Sequence, residues 1–170
     1  MRKIGNDKEY INIVKDILVN SNFRELQNCV HHGDNRMFHC VRVSYYSYLI
    51  AKHFGLRYKE MARAGLLHDF FLDRYEDMTG FDKFKLLFTH SKIALKNSKK
   101  YFKLTELEEN VIASHMFPVG LILPRHKEAW ILDLVDDYFC LYERFHSTIN
   151  MVKNGINKLF DKEPVPNEND

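Results

Sequence analysis

The chain has 170 residues, of which 45% are hydrophobic and 14% aromatic, and this predicts one globular domain with a sizeable core. The formal net charge is only +2, so we expect no obligate nucleic acid partner. No apolar run approaches the roughly 20 residues needed to span a bilayer, and the N-terminal residues carry no apolar signal segment. The three cysteines (Cys29, Cys40 and Cys140) form no Cys-x-x-Cys pair. We therefore expect a cytoplasmic protein without membrane association.

Apolar residues recur at helical spacing through most of the chain, which predicts an all-α fold of roughly six to eight helices. The first helix is expected over residues 8–20. Asn22 and Glu25 have the spacing of a capping box and predict that a short second helix starts there.

A solvated loop with two adjacent histidines is expected at residues 30–34, because Gly and Asp in it favour turns. Asp34 or Asn35 is expected to cap the long helix that follows, and Gly55 is a plausible residue at its end.

The next helix is expected over residues 57–72, followed by a polar loop over residues 73–80. Thr89 or Ser91 can cap the helix after that loop, which would place His90 at or near its start.

Thr105 and Glu108 form a second capping-box pattern, and a last long helix is expected over residues 127–152. Two prolines and many charges near the end predict a disordered tail. We expect residues 1–160 to form the single domain and residues 161–170 the tail.

His68 and Asp69 are adjacent at the end of an apolar helical run, with Gly65 leaving room one turn earlier. A carboxylate in such surroundings is strongly desolvated and needs a partner. A divalent metal ion is one such partner, because imidazole nitrogen and carboxylate oxygen are both good metal donors. For the pair alone, a hydrogen-bonded core histidine beside a capping aspartate is the alternative.

Two further residues face the expected core. His39 shares one helix face with Val43 and Ile50, and for His39 taken alone a core histidine without a metal stays open. Asp136 is surrounded at helical spacing by apolar residues, whereas Asp133 and Asp137 are expected to be exposed.

The stretch around the doublet resembles the HD-domain superfamily of metal-dependent phosphohydrolases. Its members place one His on an early helix, the His-Asp doublet on a second helix and an Asp on a late helix, and two-metal branches add further histidines. The matching residues here are His39, His68, Asp69, His90, His115 and Asp136. Asp133 is the substitute if Asp136 is not the late ligand.

The resemblance implies one or two divalent ions per chain (Mn, Fe, Co, Ni, Mg or Zn), with Asp69 bridging a pair. It implies that a metal-bound hydroxide cleaves a phosphoester or phosphoanhydride of a nucleotide or related small phosphorylated metabolite. The catalytic residues would be Asp69, His68 and Arg36, and Arg36 and Arg125 would contact the anionic substrate. Arg36 is equally consistent with a surface arginine near a helix start.

Two other functions stay open at this point. A few HD-like proteins use the same six-ligand set as di-iron oxygenases. A non-catalytic module that binds a metal or nucleotide is the other alternative. Leu72 also departs from several HD branches, which have a lysine three residues after the doublet Asp.

Overall fold

A computed structural model describes residues 4–31, 34–73 and 78–160, so the predicted tail and His32 in the predicted loop lie outside the described residues. The helices are α1 (Lys8–Leu18), α2 (Ser21–Arg24), α3 (Arg36–His53), α4 (Tyr58–Leu67), α5 (Gly80–Tyr101), α6 (Glu106–Ser114) and α7 (Lys127–Phe160). These seven helices confirm the predicted all-α fold. Two 3₁₀ turns, Ile4–Asn6 and Glu25–Asn28, and two very short strands complete the described part of the chain.

The two strands, β1 (Val30–His31) and β2 (Asp34–Asn35), pair antiparallel where a loop is predicted. Asn35 caps α3, because its side chain accepts a hydrogen bond of 2.9 Å from the main-chain N–H of Phe38. At the other end of α3, Gly55 has a φ of +66°, the left-handed conformation expected of a glycine after a helix.

The capping box predicted at Asn22 and Glu25 is wrong. Asn20 caps α2 instead, accepting a hydrogen bond of 3.1 Å from the main-chain N–H of Phe23. The capping box of Thr105 and Glu108 at the start of α6 is confirmed.

Helix α4 ends at Leu67, five residues before the predicted end, so the doublet follows the helix and His68 is its C-cap. Phe70 and Phe71 continue the apolar pattern and are buried, but they lie beyond the helix. Their amides bond to nearby carbonyls, Phe70 to Leu67 at 3.1 Å and Phe71 to Asp69 at 2.8 Å.

Helix α5 starts about ten residues earlier than predicted. The side chain of Thr79 accepts a hydrogen bond of 3.2 Å from the amide of Asp82 and caps the helix. Thr89 lies inside the helix, and its hydroxyl donates to the carbonyl of Lys85 at 2.9 Å. His90 is therefore in the middle of α5 and not at its start.

Helix α4 lies at the centre of the fold and packs against α1, α3, α5, α6 and α7. Ser44 of α3 joins three of these helices, because its hydroxyl donates to the carbonyl of Ala62 at 2.6 Å and accepts from Tyr10 at 2.7 Å. Gly65 permits the close approach of α3, since a Cβ there would lie 2.6 Å from Ser44 Cα. In the part of the chain that is described, no helix has the length and apolar character needed to cross a bilayer.

Candidate metal centre

Five helices bring the six predicted ligand residues together in the interior. His39 lies on α3, His90 on α5 and Asp136 on α7, whereas His68, Asp69 and His115 follow the last residues of α4 and α6. All six side chains are buried. The helix ends let residues from α4 and α6 turn into the space that the other three helices enclose.

Three of the histidines are oriented by their own helix. In each, ring atom Nδ1 faces a main-chain carbonyl one turn earlier. The carbonyl acceptors are Gly65 for His68 (2.8 Å), Leu86 for His90 (2.9 Å) and Ile112 for His115 (2.8 Å). Because a carbonyl can only accept, Nδ1 carries the hydrogen and Nε2 is the atom left to bind an ion.

His39 is oriented by α7. Its Nε2 lies 2.8 Å from Asp136 Oδ1, and its Nδ1 lies 3.1 Å from Glu143 Oε2. Asp136 Oδ1 also lies 3.5 Å from His68 Nε2, so Asp136 is the late aspartate that joins the cluster. Burial opposes a charge on His39, but its hydrogen bonds to Asp136 and Glu143 raise its pKa to about 10. Burial works against the charge of Asp136 too, but His68 and His39 hold its pKa well below the usual range.

His90 and His115 face each other across a short gap, with Nε2 atoms 3.1 Å apart. Asp69 Oδ1 lies 3.6 Å from the first of these atoms and 3.5 Å from the second. With both Nδ1 atoms protonated, two lone pairs would meet across the gap, so either a proton or a metal ion must lie between them. Burial lowers the pKa of His90, whereas Asp69 outweighs burial and raises the pKa of His115, so a proton on His115 can fill this place.

The donor atoms form three groups: one of His39, Asp136 and Cys140, and two that share the carboxylate of Asp69. His39, His68 and Asp69 offer atoms within 4.8 Å of one another, and so do Asp69, His90 and His115. His68 Nε2 is buried and has no hydrogen-bond partner in the described part of the chain. Imidazole nitrogens with carboxylate oxygens are the donors that Zn, Fe, Mn, Co and Ni accept, so these residues fit a divalent ion.

A family model described as HD domain matches residues 36–139, which include all six of these residues. The chain belongs to the HD domain family. Members of this family are mostly metal-dependent hydrolases, and the His/Asp cluster of this HD domain is compatible with their metal site. No curated protein and no solved structure matches the chain.

Arg36 does not lie on the surface, so that alternative is wrong. The side chain is fully buried and donates to the carbonyls of Phe71 at 2.5 Å and Asp73 at 3.2 Å. Its guanidinium also lies over the Phe71 ring, 3.7 Å from the centroid. Arg36 therefore anchors the chain that follows the doublet, and its contact with a phosphate stays a prediction.

Two other predicted positions differ from expectation. Asp133 is buried rather than exposed, and burial together with Asp137 raises its pKa to about 7. Arg125 is exposed beside Glu106, at 3.8 Å, and lines a separate cavity of about 340 Å³. No hydrogen bond or ion pair among the described residues joins Arg125 to the cluster, so its substrate contact stays a prediction.

The sequence interpretation missed Glu143, and it placed Cys140 beside Asp136 without giving it a role. Glu143 is buried against His39, and Cys140 Sγ lies 3.6 Å from Asp136 Oδ1. Both lie on the Asp136 side of α7, Cys140 one turn and Glu143 two turns after Asp136. That helical spacing is the signal that could have identified them.

Proposed function

We propose that this HD domain is a metal-dependent phosphohydrolase that acts on a nucleotide or a related small phosphorylated metabolite. One observation carries the proposal. Four imidazoles turn Nε2 toward two buried carboxylates, and two of these nitrogens face each other at 3.1 Å. Buried carboxylates need compensating positive charge, and divalent ions bound by these nitrogens and oxygens would supply it.

The ligands divide into two proposed ion positions. His39, His68 and Asp136 would hold the first ion, and His90 and His115 would hold the second. Asp69 shares one group of donor atoms with His39 and His68 and another with His90 and His115, so its carboxylate would serve both positions. When bound, such a pair of ions polarises a phosphoryl oxygen and lowers the pKa of a bound water to about 7.

The protein's own part is to hold these donors still. Phe71 contributes from outside the cluster, because its ring packs against Arg36 on one side and lies 5.3 Å from the ring of His90. Arg36 in turn bonds to the main chain of Phe71 and Asp73. The chain leaving the doublet is thus fixed, and Asp69 with it.

The test is phosphate release from a panel of phosphorylated compounds. The stripped protein is reloaded with Mn, Fe, Co, Ni, Mg or Zn and offered nucleoside phosphates, sugar phosphates and pyrophosphate. We expect release from at least one class of substrate, and none from Asp69→Ala, which removes the bridging carboxylate. Absence of phosphate release with every metal would refute the proposal.

Further measurements on the same metal-loaded protein distinguish the two other functions. Iron is also a good ion for six nitrogen and oxygen donors. Oxygen consumption by the iron-loaded protein, with a mixed-valence paramagnetic signal and no phosphate release, would identify a di-iron oxygenase. Metal binding without either reaction would identify a binding module.

A further inference from the structure

His39 differs from the other three histidines of the cluster. Those three are oriented by carbonyls of their own helix, whereas His39 Nδ1 faces a side chain 104 residues away. We propose that Glu143 is a positioning residue that holds His39 as a metal ligand and that Arg42 holds Glu143. This inference rests on the proposed metal site. Glu143 also lies beyond the residues that match the HD family model.

The carboxylate of Glu143 is fully used by these two partners. Oε2 lies 3.1 Å from His39 Nδ1, and Oε1 lies 2.5 Å from Arg42 Nη1. Glu143 is only 5% exposed, so its charge needs compensation inside the protein. Arg42 supplies it from α3, one turn after His39. Glu143 thus has one oxygen for the ligand and one for the compensating cation.

This arrangement fixes which nitrogen of His39 can bind an ion. Both carboxylates only accept, so in the metal-free chain each ring nitrogen donates, Nδ1–H to Glu143 and Nε2–H to Asp136. When an ion binds, Nε2 gives up its hydrogen, and Glu143 keeps the hydrogen on Nδ1. The negative charge of Glu143 beside Nδ1–H also makes Nε2 a stronger metal ligand. Glu143 lies two turns after Asp136, so one helix supplies both a ligand and the group that orients its neighbour.

Glutamine at position 143 separates this role from a simple contact between helices. The amide keeps the length of the side chain but offers one acceptor to two donors, Arg42 and His39. If its NH₂ group faces His39, Nδ1 must become an acceptor, and the hydrogen moves to Nε2. That tautomer cannot bind an ion through Nε2.

Glu108→Gln is the matched control. Glu108 is 2% exposed and also divides its oxygens, with Arg63 Nε at 3.1 Å and the amide of Thr105 at 2.7 Å. It joins α4 to the start of α6 but touches no ligand residue by hydrogen bond or ion pair. Glutamine there removes the same charge and leaves the cluster unchanged.

The measurement is Co²⁺ titration of the metal-free full chain, followed by visible absorption and by competition with a chelator. Glu143→Gln should weaken binding at the His39 position by about 10–100-fold and change the cobalt spectrum, as expected when a partner of a metal ligand is lost. Glu108→Gln should keep the wild-type affinity and spectrum. Arg42→Gln is a second variant, expected to lose less affinity because Glu143 remains beside His39.

The outcomes are distinct. If Glu143→Gln and Arg42→Gln both bind Co²⁺ as wild type does, Glu143 does not position His39, and the proposed metal site stands. If Glu108→Gln loses as much affinity as Glu143→Gln, the effect comes from general destabilisation, and the inference is wrong. If wild type binds no Co²⁺ at the cluster, both this inference and the proposed function are refuted.

Discussion

At the scale of single residues, the hydrogen-bond partner of Nδ1 in each histidine decides what the cluster can bind. Carbonyls hold Nδ1 of His68, His90 and His115, and a carboxylate holds Nδ1 of His39. All four residues therefore keep Nε2 for the interior without help from an ion. Orientation of this kind reduces the entropy lost when a metal is bound.

Removal of His90 or His115 should lower metal content. We expect His90→Ala and His115→Ala each to reduce the stoichiometry from near two toward one ion per chain, because each supplies one of the two imidazoles at the second position. Elemental analysis after gel filtration measures this. His53→Ala, at an exposed position at the end of α3, is the control. Full stoichiometry in both variants would leave a one-metal centre.

Metal affinity should rise with pH. The pKa of His39 lies at about 10, because its bonds to Asp136 and Glu143 outweigh burial, so the metal-free chain holds a proton there at pH 7. A ligand histidine must be neutral, and loading therefore releases that proton. Below the pKa of His39, we expect affinity to increase by about tenfold per pH unit for one proton.

Titration calorimetry in two buffers with different ionisation enthalpies counts the released protons. Heats that do not depend on the buffer would show that no proton is displaced. The prediction would then be wrong.

The sequence predicted which residues form the cluster better than it predicted which residues hold them in place. The doublet and the apolar faces around His39 and Asp136 carried local signals, and the structure brings these residues together. Glu143 carried only its spacing of two turns from Asp136, and this signal is weak because an acidic residue on a long helix is normally solvated. Its partner is 104 residues away, and only the packing of α7 on α3 puts it inside. Asp133 is buried as well, although its position on the helix predicted exposure.

At the scale of elements, the approach of α3 to α4 sets the distance between His39 and the doublet. A Cβ on Gly65 would lie 2.6 Å from Ser44 Cα and 3.2 Å from Leu132 Cδ1. The first contact is with main chain and cannot be relieved by a side-chain rotation. Gly65 therefore makes room for a helix and not, as the sequence suggested, for the doublet.

Gly65→Ala should cost about 1–3 kcal/mol of the free energy of unfolding, as overpacking usually does, and should weaken metal binding by moving α3 away. Urea unfolding of the metal-free protein and Co²⁺ titration measure the two effects. Gly80→Ala is the control, because a Cβ at Gly80 meets nothing within 4 Å. Equal stability of the two variants would contradict the close contact.

Helix boundaries were predicted least well where a polar side chain can either cap a helix or bond to a carbonyl inside it. Thr89 looks like a cap in the sequence, but inside α5 its hydroxyl bonds to the carbonyl one turn earlier. Thr79, ten residues before, is the actual cap.

At α4 the apolar pattern continues through Phe70 and Phe71, although the helix ends at Leu67. Burial of these rings outside a helix has the same sequence signature as burial within one.

At the scale of the whole molecule, the cluster joins five helices from distant parts of the chain. An ion that binds only the folded protein stabilises it by about 2.7 kcal/mol at a free concentration one hundred times its Kd. For a chain of this size, each kcal/mol raises Tm by about 2–4 °C. We therefore expect a Tm increase of about 5–10 °C on loading.

Thermal unfolding with and without a chelator measures this shift. Asp69→Ala should show no metal-dependent increase, because both ion positions lose a ligand. A shift of the same size in Asp69→Ala would place the stabilising ion elsewhere in the protein.

Two short helices, α4 and α6, end at the cluster, with His68 and His115 as their C-caps. Aligned peptide dipoles leave about half a negative charge at the C-terminus of a helix. Together with the carboxylates of Asp69 and Asp136, these two helix ends attract a cation and repel a phosphate. Binding should therefore be ordered, with the metal ions binding first and the phosphorylated compound second. Inorganic phosphate should bind to the loaded protein and not to the metal-free chain.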